Sequence, residues 1–192
     1  MSAECSTGNI PPGYKQTEVG VIPEDWDVKA LRSLIISLDA GVSVNSVEKE
    51  RDVYAHNASI LKTSCVTGGK FIPEECKTIV PYEIHRAKLN PHKDSIIISR
   101  MNTKELVGEC GYVDKDYTNL FLPDRLWMTR YNDRIPHSVR WLAYLLSSNS
   151  FNHVIKDSAT GTSGSMKNIS KDSILSVYVP FPPIAEQESI AE

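Results

Sequence analysis

Apolar positions along this chain fall mostly into short runs separated by polar turns, a pattern of strands more than of long helices. Ser95–Met101, SIIISRM, is the strongest strand, and its continuous apolar run predicts burial on both faces. Ile60–Val66 predicts another, turned by Thr67–Gly69, and Phe71–Pro81 a bend with a short strand. Asp39–Asn57 is polar and loop-like. Ile84–Leu89 alternates weakly before a turn at Asn90–Asp94. Val107–Val113 contains Gly108 and Gly111, which predict a bend or bulge. Leu126–Thr129 adds a strand within Phe121–Tyr131.

Helical spacing appears in two stretches. Val28, Leu31, Leu34 (or Ile35) and Leu38 recur at intervals that predict a helix after Pro23, with Asp27 as its cap and Trp26 as a core anchor or staple. Ile135–Lys156 is the clearest helix. Pro136 suits its first turn, Ser138 helps to satisfy that turn, and Val139, Leu142, Leu145 and Leu146 form a stripe extended by Trp141 and Phe151. Ser158–Ser165 breaks it, and Met166–Ile169 and Ile174–Val179 return to extended structure. Pro182 and Pro183 end Val177–Phe181 as a strand, and Ile184–Glu192 then predicts a helix too short to stand alone. The sequence therefore reads as cut where a longer element begins.

With 192 residues, 41% of them hydrophobic, the chain supports one folded domain with a sizeable core. No apolar run is long enough for a membrane span, and the first residues lack the pattern of a secretory signal. The expected class is α+β: a single globular domain with a curved mixed β-sheet and flanking helices. Residues 1–13 read as a flexible arm, 14–183 as the domain and 184–192 as the start of a further helix. Cys5, Cys65, Cys76 and Cys110 form no CxxC pair, so reduced thiols are expected rather than a disulfide scaffold or a zinc site.

The net charge of −3 argues weakly against a polyanionic partner, but its distribution changes the picture. Residues 86–171 carry thirteen Lys or Arg against eight Asp or Glu, a net +5. Residues 1–30 and 172–192 carry −3 and −4. A basic middle can face a polyanion while the acidic ends face elsewhere.

Local motifs for catalysis are absent. A thiol hydrolase would need one cysteine to meet His56, His85, His92, His137 or His153, and no nucleophile-elbow motif supports this. Asp94 and the Lys104–Glu105 pair resemble a nuclease core only in composition. Ala159–Gly164, ATGTSG, lacks the lysine and hydroxyl of a phosphate-binding P-loop. The same loop carries Thr160, Thr162, Ser163 and Ser165 between Lys156 and Lys167, so its hydroxyls and amides suit phosphate contacts. Arg100 and Asn102 follow the central strand, where arginine suits guanine or phosphate and asparagine suits adenine. Arg125 and Arg130 are weaker candidates of the same kind.

Taken together, these segments resemble the target-recognition domain of a type I restriction–modification specificity subunit. Val19–Leu31 resembles the family opening of Gly-x-Ile-Pro, a tryptophan and a short helix. Ser95–Gly108 resembles its central strand and arginine-containing bend. The end of the chain resembles its glycine–threonine loop, at Gly161–Thr162, followed by Ile169–Ser170, Pro182–Pro183 and Glu186–Gln187. The resemblance implies sequence-specific recognition of one half of a bipartite double-stranded DNA target, without catalysis by this chain. It implies methyltransferase subunits as partners, and restriction subunits in the complete complex. S-adenosylmethionine, ATP and magnesium would be bound by those partners and no cofactor by this chain. Residues 184–192 would begin a spacer helix, and the location would be cytoplasmic. The residues expected on the DNA face are Lys62, Arg100, Asn102, Thr162, Ser163 and Lys167. An assembly module without base readout is the alternative, motivated by the acidic flanks.

Overall fold

The computed structural model describes residues 10–48, 58–161 and 166–192. In chain order, β1 (Tyr14–Thr17) and β2 (Gly20–Pro23) form a hairpin, followed by β3 (Asp27–Ala30), a single helical turn α1 (Leu31–Leu34) and β4 (Ile35–Ala40). The short strands β5 (Ser46–Val47) and β6 (Ser59–Leu61) precede a 3₁₀ turn at Thr63–Cys65. β7 (Val66–Thr67), β8 (Lys70–Phe71) and β9 (Cys76–Ile79) come next. A second 3₁₀ turn, Pro81–Arg86, leads to β10 (Ser95–Ser99), β11 (Met101–Asn102), β12 (Cys110–Val113), β13 (Leu120–Phe121) and β14 (Leu126–Tyr131). Two helices follow, α2 (Val139–Ser147) and α3 (Asn149–Ser158). The chain then runs through β15 (Lys167–Asn168), α4 (Lys171–Leu175), β16 (Tyr178–Phe181) and α5 (Ile184–Ala191).

The class is α+β, as expected. Its strands divide between two four-stranded sheets and four two-stranded pairs among the described residues. The central sheet is antiparallel, in the order β12-β10-β14-β4. The second sheet, β13-β6-β9-β5, is mixed, because β13 runs parallel to β6. Every residue of β10 is buried, which fits its apolar run. Ile96 and Ile98 point to one face, where Leu142 and Leu146 of α2 and Ile155 of α3 cover them. Ile97 points to the other, against Leu61, Val66, Leu122 and Met128. This strand therefore lies in the middle of a three-layer packing.

Glycine allows one close approach between layers. A Cβ on Gly111 of β12 would lie 2.5 Å from the Phe71 amide nitrogen, so β8 crosses β12 backbone to backbone. The β7–β8 hairpin turns at Gly68 and Gly69, both with positive φ, as a two-residue hairpin loop requires. Glu109 anchors that turn. Its carboxylate accepts from the Gly68 amide at 2.8 Å and from Lys156 Nζ of α3 at 3.4 Å.

Four expected elements differ. The strand expected over Ile60–Val66 is interrupted, because the 3₁₀ turn at Thr63–Cys65 separates β6 from β7. The helix expected over Val28–Leu38 is only α1, held between β3 and β4. Leu31, Leu34, Ile35 and Leu38 are all buried, but a β-bulge supplies the last spacing. Tyr131 pairs with Ile35 and Arg130 with Ser37, so the extra residue Ile36 turns outward and a strand acquires a helix-like interval. Asp27 pairs with Phe181 instead of capping, and Trp26 reaches α5. The single helix expected over Ile135–Lys156 is two helices, and Pro136 precedes the first of them. Ser138 caps α2 by accepting from the Trp141 amide, and Ser148, in an extended conformation, caps α3 by accepting from Phe151. The polar run Ser147–Ser150 lets side chains compete for backbone partners and so breaks the rod. Ile174–Val179 is not wholly extended, because Ser170 caps the short helix α4.

At the C-terminal end, α5 is tied to distant parts of the chain. Trp26 Nε1 donates to Glu186 Oε2 at 2.8 Å. Gln187 is fully buried; its oxygen accepts from the Ser138 amide at 2.9 Å and its nitrogen donates to the Pro182 carbonyl at 2.8 Å.

Candidate nucleic-acid interface

The segment after β10 leaves the central sheet at Arg100. The Arg100 amide donates to the Arg125 carbonyl at 3.1 Å, and its carbonyl accepts from the Ile169 amide at 3.0 Å. Both backbone groups are thus pinned by neighbouring segments, and the side chain leaves from a fixed origin. Its guanidinium lies over the Trp127 ring, 5.5 Å from the centroid. Arg100 makes no ion pair with the described residues, unlike Arg130, which bonds Asp39 at 2.9 Å. A guanidinium held by an aromatic face keeps its fork of donors unspent. Lys171 Nζ lies 5.9 Å from the same ring centroid.

Lys167 sits across from Asn102 in the β11–β15 pair. Its ammonium donates to the Gly161 carbonyl at 2.8 Å and so tethers the start of the glycine-rich loop. Asn102 itself is buried. Its amide nitrogen donates to Ser99 Oγ at 3.2 Å, and its oxygen accepts from the Thr103 amide at 2.9 Å. That side chain holds the bend after β10 and is largely buried, unlike a residue placed on an open DNA face. Thr162 and Ser163 lie outside the described residues, as do Cys5 and His56.

Lys62 leaves β6 beside a shallow depression lined by Ser43, Ser46, Thr63, Lys77 and Arg125. The pairing of β6 with β9 places Ile60 opposite Lys77 and so brings Lys62 and Lys77 together. Glu48 lies between them, with carboxylate oxygens 3.4 Å from Lys62 Nζ and 2.7 Å from Lys77 Nζ. Lys77 first, and then Lys62, hold its carboxyl below the usual range. Arg125 connects this depression to the Arg100 region: its side chain approaches Met166 Sδ at 4.0 Å, next to Lys167, and its carbonyl receives the Arg100 amide.

Lys62, Arg100 and Lys167 therefore gather around Arg125, although 105 positions separate the first from the last. Lys77, Glu48 and Lys171 are additional members that the sequence did not single out. Only strand pairing brings Lys77 to Lys62, and no local motif marks it. The thiols show no such convergence. Cys65, Cys76 and Cys110 are buried, and burial pushes the Cys65 thiol up strongly and the Cys110 thiol up to about 12. Such thiols stay protonated and are poor nucleophiles. The ring nitrogens of His92 and His137 face backbone carbonyls, and that of His153 faces Asp157. Among the described residues no cluster of three or more His, Cys, Asp or Glu is placed to hold a metal, and no helix is long and apolar enough to cross a membrane.

Comparison with known proteins gives a consistent result. The family model for the type I restriction modification DNA specificity domain matches residues 23–192. The specificity subunit of the Escherichia coli type I restriction enzyme EcoEI is 24% identical over 179 residues, covering 93% of this chain and 30% of that protein. Among solved structures, the S subunit of a type I restriction–modification system from M. genitalium superposes with a TM-score of 0.58 at 18% identity, covering 86% of this chain and 37% of that one. The HsdS subunit from Thermoanaerobacter tengcongensis gives 0.61 at 16% identity, covering 88% and 41%. These structural likenesses establish the fold. The chain spans between 30% and 41% of the length of these relatives.

Proposed function

The chain belongs to the type I restriction modification DNA specificity family, and we propose that it reads one half of a bipartite double-stranded DNA target. In this role it is the non-catalytic specificity component of a restriction–modification enzyme. Methylation and cleavage reside in methyltransferase and restriction subunits, which carry S-adenosylmethionine, ATP and magnesium. The complex works in the cytoplasm.

One observation supports this most: Lys62, Arg100, Arg125 and Lys167 come from separate segments and converge on one region. Arg100 and Arg125 there make no ion pair with the described residues. Lysines supply phosphate attraction, and an arginine with a fixed backbone origin supplies the directional donors that base readout needs. Asn102 serves as a positioning residue for the bend that carries Arg100. The loops between short strands can differ in sequence without disturbing the buried β10 scaffold. Ile184 and Ile190 of α5 are exposed, so an apolar contact there suits assembly with a protein partner alongside DNA reading.

The test is a transplant. Residues 20–176 are moved into an intact specificity subunit, and the methylated motif is determined by sequencing. Transfer of one half-site is expected. A motif that stays that of the recipient overturns the proposal.

A further inference from the structure

We propose that Lys62 and Lys77 form a grip for one DNA backbone phosphate, and that Glu48 occupies this grip until the phosphate displaces it. The inference deepens the DNA-reading proposal and rests on it.

The geometry has three parts. The two ammonium groups converge on a single carboxylate at 3.4 and 2.7 Å, so they already hold one anion between them. They line the same depression as Arg125, which makes no ion pair with the described residues, and as the hydroxyl-bearing Ser46 and Thr63. Two other carboxylates lie nearby and bond hydroxyls instead of these lysines: Asp124 accepts from Ser43 Oγ, at the edge of the same depression, and Glu75 from Ser64 Oγ. Glu48 is therefore the one carboxylate among the described residues bonded to both lysines.

Glu48 is also easy to dislodge. Its side chain is 72% exposed, and those of Lys62 and Lys77 are 34% and 38% exposed. Ion pairs this open to water are weak and screened by salt. A duplex brings a dense line of phosphates and releases counterions as lysines replace them. Exchange of the carboxylate for a phosphate thus keeps both lysines paired throughout. The resting carboxylate also subtracts from the general attraction of this surface for any duplex. Only a backbone that reaches both lysines together gains the full grip.

The test uses the full chain and a fluorescently labelled duplex of unrelated sequence at about 50 mM salt, where phosphate contacts are strong. Glu48→Gln keeps the shape and removes the charge, and it is expected to tighten binding about 1.5-fold to fivefold, the scale of a surface ion pair. Glu48→Ala should do the same. Adding Lys62→Ala and Lys77→Ala should abolish that gain. Carbon-detected NMR supplies a second reading: the Glu48 carboxyl, held low by the two lysines, should titrate closer to its usual range once DNA is added. Duplex binding that ignores both Glu48 substitutions overturns the displacement, and so does a gain that persists without the lysines. Neither result touches the half-site reading, which stands or falls on the transplanted motif.

Discussion

Replacing Glu109 by alanine removes two contacts that join three layers of the fold. The carboxylate accepts from the Gly68 amide at the tip of the β7–β8 hairpin and from Lys156 on α3. The Glu109 side chain is 11% exposed and that of Lys156 26%, so neither contact is freely replaced by water. A hydrogen bond to a charged acceptor contributes about 1.5–3 kcal/mol. The Lys156 pair adds about 0.5 kcal/mol, at its looser distance of 3.4 Å. Glu109→Ala should therefore destabilise the chain by about 3 kcal/mol, or about 6–12 °C in Tm for a domain of this length. Glu109→Gln keeps an acceptor for Gly68 and should cost about 1 kcal/mol. Urea unfolding gives the first quantity, and amide hydrogen exchange at Gly68 gives the local one. If Glu109→Ala leaves the unfolding midpoint in place and Gly68 still protected, the anchoring argument is wrong.

Gln187→Ala strips partners from the Ser138 amide and the Pro182 carbonyl at a fully buried site, and should cost about 2–4 kcal/mol by urea unfolding. Burial lowers the pKa of His137 below its ordinary 6.5, more than its bond to the Ile135 carbonyl raises it. The unfolded chain then binds the proton more readily, so His137 favours folding above pH 6.5 and this contribution is lost as pH falls through the lowered folded value. His137→Gln should flatten that acid limb in urea midpoints measured from pH 5 to 8; an unchanged slope refutes it. Arg100→Ala should weaken DNA binding by about tenfold, and Arg100→Lys should recover attraction without recovering motif preference. Unchanged affinity in the assembled enzyme, with folding intact, would remove Arg100 from the reading surface.

Much of the scaffold was legible because its signals were local. The apolar run of β10 carried its two-sided burial, and Ser138 carried the start of α2. Elements failed where a tertiary device imitated another period. Ile35 and Leu38 fall on one side because Ile36 is extruded from β4, and the same interval in a sequence reads as a helix. Ser148 was hidden inside an otherwise good helical stripe, yet its side chain caps α3 and separates two helices. The candidate site divides in the same way. Arg100 and Lys167 were visible as cations beside a strand end and a glycine-rich loop. Asn102 looked equally suitable, but its burial depends on Ser99 and Thr103 folding back onto it. Lys77 and Glu48 had no local mark, because the register of β5 on β9 makes them neighbours.

The bonds from Trp26, Ser138 and Pro182 to the first turn of α5 give that helix a joint instead of a hinge. Its direction is set before anything binds it. A partner that grips Ile184 and Ile190 therefore meets a helix already bonded to the body, which lowers the orientational cost of fixing the domain. The same stiffness works in reverse. Torque applied at α5 would pass through the Ser138 cap into α2, and from α2 into the sheet whose strand β10 leads to Arg100.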